Sequence, residues 1–420
     1  MNSFNKEERV AFEKLLEGFE DALVMSKAVS IFRSEETMME RTGDTIWRPM
    51  PYIMPSHDGR DQTGNFLPNT QRSVPSSIGY EKSCTFTLSA TELRDASQEG
   101  RLSSGGQRRL ASDINVAVAT VARDQGTIIV TKSSAAALYD DIAKAEAAFN
   151  RVGIPRDDRF GFLSTFDYNG LAAALAGKAD MGAAMSRDAW RNSSVGRTAG
   201  FDLRKLDYAL QLPAAAGGAG LTVDTRATAS NYYTPVATKI SSGAQSNVDN
   251  RYQTITISST TSVVAGDAFT IAGVEEAHHE TKLATGELKT FRVIEVPSST
   301  TLVISPPIIS NQGATRAEEQ YQNVVVTTSA TAAIVFLNTV KKNFNPIWHR
   351  DAIELMPSRY VIPKNSGVGF MRSSTAQGIE VTMTKWFDIK TYETFYRMDV
   401  RFGVTMVQPE MAGGLLFSQT

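Results

Sequence analysis

The sequence predicts an α+β protein with an antiparallel β-module inserted into it, and a change of composition along the chain is the main reason. Residues 90–220 alternate Ala-rich helical segments with short apolar strands, which is typical of an α+β layer. Residues 221–338 are instead Thr-, Val- and Ile-rich segments separated by turns, which favours a small barrel or sandwich. Buried strand character resumes at 345–356 (NPIWHRDAIELM), so the β-module is predicted to interrupt one host domain.

Length and composition indicate several domains and exclude some classes of protein. A chain of 420 residues with 42% hydrophobic and 21% charged residues can pack two or three domains. The net charge of −2 gives no global field with which to hold nucleic acid. The single cysteine, Cys84, excludes an intramolecular disulfide and Cys-rich zinc modules. We expect no signal peptide and no membrane span, since no stretch approaches the roughly 20 apolar residues that a span requires.

The N-terminal segment predicts an amphipathic helix over residues 5–32. Its apolar residues recur near i, i+4 and i+8 spacing, with charged residues between them. Two alternatives follow: the helix packs on the chain's own core, or it is an arm that docks on another subunit. The candidate contact residues of such an arm are Phe12, Leu16, Phe19 and Leu23.

Residues 44–88 predict an extended hairpin. Segments 44–52 (DTIWRPMPY) and 80–88 (YEKSCTFTL) have strand patterns, and the polar residues 53–79 between them contain several Pro and Gly. Connections of this length are uncommon inside a compact domain and usually have a function. The two strands are therefore expected to pair and to carry a long polar tip away from the core.

The rest of the host domain combines helices with strands. Residues 90–125 predict a short helix followed by a long one, with Ser103 or Ser104 as the N-cap of the long helix and Gly126 after its end. The apolar stripe of the long helix consists of Leu110, Ile114, Ala117, Val118 and Val121. Further helices are predicted at 134–150 and 167–190, strands at 127–131 and 160–165, and two long paired strands over 379–407.

No convincing catalytic or metal-binding constellation is present in the sequence. The segment 275–280 (EEAHHE) has His and Glu side by side, but the HExxH spacing is absent and adjacent histidines on a strand point to opposite faces. A solvated charged loop is the preferred interpretation. An enzyme with a weak metal site at His278 and His279 remains an alternative, to be judged by stoichiometric zinc binding that these histidines control.

The order of these parts resembles the major capsid proteins of tailed bacteriophages, the Hong Kong 97 type fold. It is more closely similar to the coat proteins of lambdoid short-tailed phages (podoviruses), whose shell fold carries an inserted β-barrel domain. The resemblance runs over most of the chain and is carried by DTIWRPM at 44–50, LRDASQEGRLSSGGQRRLASDINVAVATVARDQGTIIVT at 93–131, NVDNRYQTITISSTTSVVAGDAFTIAGV at 247–274, FRVIEVPSSTTLVISPPII at 291–309 and NPIWHRDAIELM at 345–356.

The resemblance implies a role for each part of the chain. The implied parts are an N-terminal arm (1–43), an extended loop (44–88), a peripheral domain with the spine helix (89–126), two parts of an axial domain (127–220 and 339–375), the inserted β-barrel domain (221–338) and hinge strands that return to the peripheral domain (376–420). In the family the inserted domain is thought to aid folding of the subunit and to bridge capsomers through a long loop.

The resemblance also implies two sets of contact residues. Those of the intersubunit extended loop would be Trp47, Arg48, His57, Asp58, Arg60, Asp61 and Arg72. The bridging loop would be 237–250, with candidate residues Lys239, Ser241, Ser242, Gln245, Asn247 and Asp249. Since Lys239 and Asp249 are the only charged residues in this loop, hydrogen bonds from its Ser, Gln and Asn side chains are an alternative to ionic bridges.

The function implied by the resemblance is that of a structural subunit, not an enzyme, without cofactor, metal or catalytic residue. The implied partners are copies of the chain in the hexamers and pentamers of an icosahedral shell, a scaffolding protein, a portal ring and double-stranded DNA held without sequence specificity. Assembly would take place in the bacterial cytoplasm, and the precursor shell would expand on DNA packaging into the virion head. A tail, adhesion or surface-array subunit, forming tubes, sheets or fibres, is the alternative.

Overall fold

A computed structural model gives the structure of most of the chain. It describes residues 6–32, 45–50, 56–66, 73–89, 96–137, 139–176, 192–206, 208, 210–217, 220–224, 249–310, 320–326, 328–360, 362–363 and 367–419. Within these residues it has four α-helices and twenty strands. No helix among them is long and apolar enough to cross a membrane.

The chain divides into two compact units. Unit 1 comprises Met1–Ile46, Ser76–Ala119 and Glu354–Thr405, and unit 2 comprises Trp47–Pro75, Thr120–Ile353 and Met406–Thr420. Both units are assembled from segments distant in sequence, so neither corresponds to a single stretch of the chain.

A six-stranded sheet forms the centre of unit 1. Its strands are β1 (Ser30–Ile31), β4 (Tyr80–Ser89), β16 (Ile353–Ser358), β17 (Gly369–Ser374), β18 (Glu380–Asp388) and β19 (Glu393–Met406). The order is β1-β16-β19-β18-β17, with β4 also paired to β19. The prediction of two long paired strands over 379–407 is confirmed, because β18 and β19 run antiparallel from Val381 opposite Val400 to Asp388 opposite Glu393.

The predicted hairpin between residues 44–52 and 80–88 is wrong in its pairing. Both strands exist, as β2 (Thr45–Pro49) and β4, but β2 pairs with β3 (Ser73–Ser77) while β4 pairs with β19. The strand β3 contains Pro75, and a proline within a short polar segment argues against a strand in sequence. The segment that supplies the true partner of β2 was therefore assigned to the loop.

Helix α1 (Lys6–Ala22) packs in unit 1 against helix α2 (Ala96–Gln125). The side chains of Phe12, Phe19 and Leu23 are buried, as i, i+7, i+11 spacing on one face requires. Asn115 of α2 holds the end of α1: its Nδ2 donates to the Ala22 carbonyl at 3.0 Å, and its Oδ1 accepts from the Met25 amide at 3.1 Å. The helix is shorter than predicted, because a 3-10 turn and β1 follow this capped end.

Helix α2 is one continuous helix of 30 residues, which corrects the prediction of a short helix and a separate long one. Ser103 and Ser104 lie inside the helix, so neither is its N-cap. One glycine inside this helix has a packing role: a Cβ at Gly106 would collide with the Met398 side chain and crowd Cys84. The apolar stripe of the long helix is buried as predicted, and the helix ends before Gly126.

A seven-stranded mixed sheet lies in unit 2. Its strands are β5 (Ile128–Thr131), β6 (Arg159–Ser164), β7 (Arg197–Thr198), β8 (Phe201–Leu206), β9 (Gln211–Leu212), β15 (Lys342–His349) and β20 (Ala412–Leu416). The order is β5-β20-β15-β6-β8-β7, with β9 also on β15. The strands predicted at 127–131 and 160–165 are confirmed, and the apolar segment 345–356 forms two strands, β15 and β16, separated by the 3-10 turn Arg350–Ala352.

Helices α3 (Tyr139–Val152) and α4 (Thr165–Ala176) accompany this sheet, as the Ala-rich segments predicted. Their apolar faces share one core with it, in which the Phe149 and Phe201 rings meet edge to face at 5.2 Å. The predicted C-terminal part of the second helix, residues 177–190, lies outside the described residues.

A five-stranded antiparallel sheet also lies in unit 2. Its strands are β10 (Gln253–Thr256), β11 (Ala268–Ala277), β12 (Ala284–Glu295), β13 (Thr301–Ser305) and β14 (Ile334–Phe336), in the order β10-β13-β12-β11-β14. Residues 221–224 hydrogen-bond near both edges: the Val223 amide donates to the Ala332 carbonyl at 2.9 Å, and the Asp224 amide donates to the Thr256 carbonyl at 3.0 Å. The sheet has its own apolar core, which includes Ile255, Phe269, Phe291, Val293 and Ile304.

Most of the strands predicted for residues 221–338 are present. The Val-rich run 323–326 (NVVV) is not a strand, and Val324 forms an isolated bridge to Glu276. The Val324 side chain is nevertheless fully buried in the core of the sheet. This apolar run therefore contributes a side chain to the core, as a strand would, without forming a continuous row of backbone hydrogen bonds.

Candidate functional site

The predicted residues of the extended loop are mostly exposed. Trp47 and Arg48 are half-buried in β2, whereas His57, Asp58, Arg60 and Asp61 lie in an exposed polar segment. The Asp61 carboxylate accepts hydrogen bonds from the Thr63 hydroxyl at 2.5 Å and the Thr63 amide at 3.1 Å, which lower the pKa of Asp61. Arg72 lies outside the described residues.

The predicted bridging loop is described only at its end. Lys239, Ser241, Ser242, Gln245 and Asn247 lie outside the described residues. Asp249, by contrast, is held within the chain, since Arg251 contacts its carboxylate through Nη2 at 2.6 Å. Arg251 also donates through Nη1 to the Met406 carbonyl at 2.7 Å, so this end of the loop is fixed to the start of the final segment of unit 2.

The candidate contact residues of the N-terminal arm pack within unit 1 of the same chain. Phe12, Phe19 and Leu23 are buried, and Leu16 is half-buried. This placement matches the first of the two alternatives for the helix, packing on its own core. Contact of the helix with a neighbouring subunit stays a prediction.

The tip of the β18–β19 hairpin exposes four large apolar side chains. The hairpin-tip patch consists of Trp386 (49% exposed), Ile389 (76%), Tyr392 (64%) and Phe395 (38%). Trp386 and Phe395 face each other across the ladder, so they share one face of the sheet. Large apolar groups gathered at one surface site mark an interaction surface more often than scattered ones do.

Charges of both signs surround the hairpin-tip patch. Lys385 and Lys390 contribute positive charge, and Asp388 and Glu393 contribute negative charge. The turn is ordered in part by the Asp388 carboxylate, which accepts from the Lys390 amide at 2.8 Å. The alternating pattern of 379–407 predicted strands here but not the exposure of these side chains, although the concentration of aromatic residues around the turn indicated it.

Two residues of segment 275–280, Glu276 and His279, lie in a buried charge cluster, so the predicted solvated charged loop is wrong for them, whereas Glu275 and Glu280 are exposed as a solvated loop requires. The cluster contains Glu276, Lys289 and Glu410, all buried, together with the largely buried His279. The Lys289 ammonium lies 3.0 Å from a Glu276 carboxylate oxygen and 2.8 Å from a Glu410 carboxylate oxygen. Glu276 is buried because β11 directs its side chain inward, toward Lys289, which lies 13 residues later in the sequence.

Further contacts complete the buried charge cluster. Arg151 of α3 approaches Glu276 at 3.3 Å, and His279 Nε2 lies 3.6 Å from Glu410. The Asn323 side-chain amide donates to Glu410 at 3.1 Å. The two carboxylates are balanced by the cations Lys289 and Arg151, which is the condition under which burial of charge is tolerated.

The pKa values of the cluster follow from this balance. Burial would raise the pKa of Glu410, but Lys289 and His279 hold it well below its ordinary value. Burial would likewise lower the pKa of Lys289, but Glu410 and Glu276 raise it above its ordinary value. Among the described residues, no group of three or more His, Cys, Asp or Glu is arranged to hold a metal ion.

The comparisons with known proteins identify one family over nearly the whole chain. The family described as "P22 coat protein - gene protein 5" matches residues 1–418. A structure of Mycobacterium phage Che8 is similar at 11% identity and a TM-score of 0.46, over 94% of this chain and 90% of that one. The capsid structure of cyanophage P-SCSP1u is similar at 10% identity and a TM-score of 0.43, over 95% and 89%.

A third structure matches a smaller region at higher identity. The CUS-3 coat protein I-domain is 36% identical, with a TM-score of 0.22, over 29% of this chain and 99% of that one.

Proposed function

The chain belongs to the P22 coat protein family and is a structural subunit of an icosahedral phage head, and from that premise we propose how it assembles. Copies of the chain form hexamers and pentamers around a scaffolding protein, with a portal ring at one vertex. The precursor shell expands when double-stranded DNA is packaged, and assembly takes place in the cytoplasm of the bacterial cell. The observation that carries the proposal is the family match over residues 1–418.

The proposal includes a subunit of the Hong Kong 97 type with an inserted β-barrel over residues 221–338. Support for a barrel comes from residues 221–224, whose hydrogen bonds reach both ends of the β10-β13-β12-β11-β14 order. A sheet whose two edges are linked in this way leaves no long open edge for unwanted pairing. The separate apolar core of this sheet is a second support, because a guest domain needs a core of its own.

Contacts between subunits would use the exposed surfaces of the chain. The hairpin-tip patch supports a contact with another copy, because its apolar centre is surrounded by both lysines and carboxylates and can therefore match its own charge pattern. The exposed charged residues of segment 56–66 support the extended loop as a second contact. Each contact can be weak, since a shell gains its stability from many contacts per subunit.

Enclosure of DNA needs no specific site in this proposal. The net charge of −2 supports a wall that surrounds the genome without binding it tightly. Any contact with DNA would reach the phosphate backbone and would be independent of sequence.

The test is electron microscopy of the full chain expressed with and without the scaffolding candidate encoded beside it. Closed shells of uniform size that form mainly with the scaffold are the expected result. Tubes or flat arrays would contradict the proposal and support a tail or surface-array subunit, and a stable monomer in both conditions would contradict assembly altogether.

A further inference from the structure

Strand β12 contacts the rest of unit 2 through three polar side chains within four residues of its central part. They are Lys289, Thr290 and Arg292, which we name the β12 clamp. Each reaches a different part of the host domain: Glu410, the Thr127 carbonyl and the Arg123 carbonyl. We infer that the β12 clamp fixes the C-terminal end of α2 and the turn Pro409–Met411 in their folded conformation.

Arg292 acts on the end of α2. Its side chain is fully buried, its Nη2 donates to the carbonyl of Arg123, and its guanidinium lies 5.6 Å from the centre of the Phe344 ring. Arg123 is in the last turn of α2, where carbonyl groups have no partner within the helix. A cation at this end also opposes the partial negative charge of the helix C-terminus. Arg292 thus supplies from another strand the cap that the helix lacks.

The other nitrogen atoms of Arg292 indicate that the burial of its charge depends on the contact with the Arg123 carbonyl. Among the residues that the structure describes, its Nε and Nη1 have no hydrogen-bond partner. Without the Arg123 carbonyl, the buried guanidinium would keep only the Phe344 ring and the charges of Asp124 and Asp267 nearby. A buried cation with so few partners is stable only where the protein holds those partners in place.

Thr290 contacts the residue that joins α2 to the following strand. The Thr290 hydroxyl donates to the Thr127 carbonyl at 2.5 Å. Thr127 is itself bound to the start of β20 and to the turn before it: its amide donates to the Ala412 carbonyl at 2.9 Å, and its hydroxyl donates to the Pro409 carbonyl at 2.8 Å. The hydroxyl of Thr290 therefore completes the hydrogen bonding of a residue that links two distant segments of chain.

Lys289 acts on the turn itself. It joins Glu276 of the five-stranded sheet to Glu410 of the turn Pro409–Met411, and all three side chains are buried. Loss of this lysine would leave two carboxylates near each other without their shared cation. The three side chains of the clamp thus contact adjoining parts of the host domain, which are the C-terminal end of α2, Thr127 and Glu410.

The inference goes beyond the proposed function, because it concerns the folded subunit and needs no shell. It predicts a local effect: weakening the clamp opens residues 120–131 and 406–412 before the core of the five-stranded sheet. Amide hydrogen exchange measures such local opening, since each region exchanges according to its own opening free energy. Assembly is not the readout, so failure of the shell experiment would leave this test intact.

The experiment is hydrogen exchange with mass spectrometry on the unassembled full-length chain. The variants are Thr290→Val, which keeps the shape and removes the hydroxyl, Arg292→Lys and Lys289→Met. Matched controls are Thr254→Val on β10 and Lys342→Met, an exposed lysine on β15. We expect each clamp variant to speed exchange in 120–131 and 406–412 by roughly tenfold or more, with little change in 253–256 and 268–271.

A double variant that removes one charge of each sign provides a second test, which does not rely on the effect of Lys289→Met alone. Lys289→Met combined with Glu410→Gln removes one charge of each sign and leaves Glu276 with Arg151. Exchange in 406–412 should then be slower than in Lys289→Met alone, because coupled residues are not additive. Unchanged exchange in 120–131 and 406–412 for all three clamp variants, or acceleration spread evenly over the five-stranded sheet, would overturn the inference.

Discussion

The buried charge cluster and the hairpin-tip patch differ in opposite ways from the usual placement of side chains, in which charged groups are exposed and apolar groups are buried. In the cluster, charges that favour water are buried and satisfied by each other: Lys289 lies between Glu276 and Glu410 at 3.0 and 2.8 Å. In the patch, apolar groups that favour burial, such as Ile389 and Tyr392, are left in solvent. The first is satisfied within one chain, whereas we propose that the second is covered by another copy of the chain. A coat subunit needs both, because it must fold alone and then assemble.

Replacing Lys289 by Met is expected to have the largest effect on folding. The substitution leaves the buried carboxylates of Glu276 and Glu410 without their shared cation, and breaking a buried ion pair in this way costs about 3–5 kcal/mol. Urea unfolding of the unassembled chain measures the loss. A free energy of unfolding within about 0.5 kcal/mol of wild type, the range of ordinary surface substitutions, would show that the cluster is not a stabilising element.

Acid is expected to weaken the same cluster. The pKa of Glu410 is held well below its ordinary value of 4.5 by Lys289 and His279, with Lys282 a further positive charge close by. A carboxylate whose folded pKa is depressed contributes stability that is present above the unfolded pKa and is lost as the pH falls toward the folded pKa.

The free energy of unfolding should therefore fall as the pH drops below 4.5, and Glu410→Gln should flatten that slope. Unfolding curves at several pH values between neutral and strongly acidic conditions measure both. An equal slope in wild type and Glu410→Gln would show that this carboxyl does not carry the linkage.

Substitutions at two neighbouring glycines of α2 are expected to have smaller effects on stability, and each serves as a control for the other. A Cβ at Gly106 would collide with Met398, whereas a Cβ at Gly105 meets nothing within 4 Å. Gly106→Ala should cost about 1–3 kcal/mol through overpacking. Gly105→Ala should stabilise the chain by about 0.5–1 kcal/mol, because alanine favours the helix. Thermal unfolding of both variants measures the pair, and equal effects would contradict the close approach of β19.

The smallest effect on folding, and the most specific effect on assembly, is expected in the hairpin-tip patch. Replacing Trp386 and Ile389 by Ser should change the free energy of unfolding by no more than about 0.5 kcal/mol for each site, since both side chains are exposed. The same double variant should form far fewer closed shells, as sedimentation and electron microscopy would record. Leu283→Ser, at another exposed apolar residue, is the control. Shells in normal yield would show that the patch lies outside any contact.

Periodicity predicted the elements of the fold better than it predicted their partners. The stripe Leu110, Ile114 and Val118 is buried as expected, because spacing along one helix is a local property. The pairing of β2 with β3 was missed, since the choice of a partner strand depends on distant segments such as β19. The close packing of Gly106 against Met398 could not be predicted for the same reason, because the two residues lie almost 300 positions apart in sequence.

The candidate site was predictable in part. The composition of 275–280 singled out the segment, but the burial of Glu276 depends on Lys289 and Glu410, and no local pattern joins residue 276 to residue 410. The hairpin-tip patch carried a readable signal, since exposed strand faces rarely concentrate four large apolar residues around one turn. In both cases the sequence did not reveal whether each side chain points into the core or into solvent.

The most direct test of the contrast between the two regions is a cryo-electron microscopy reconstruction of the assembled shell. We expect Trp386, Ile389 and Tyr392 to be covered by another subunit, and Lys289 to contact Glu276 and Glu410 of its own chain. A shell in which the hairpin-tip patch faces solvent in every subunit would contradict this expectation, as would a shell in which Lys289 pairs with a neighbouring copy.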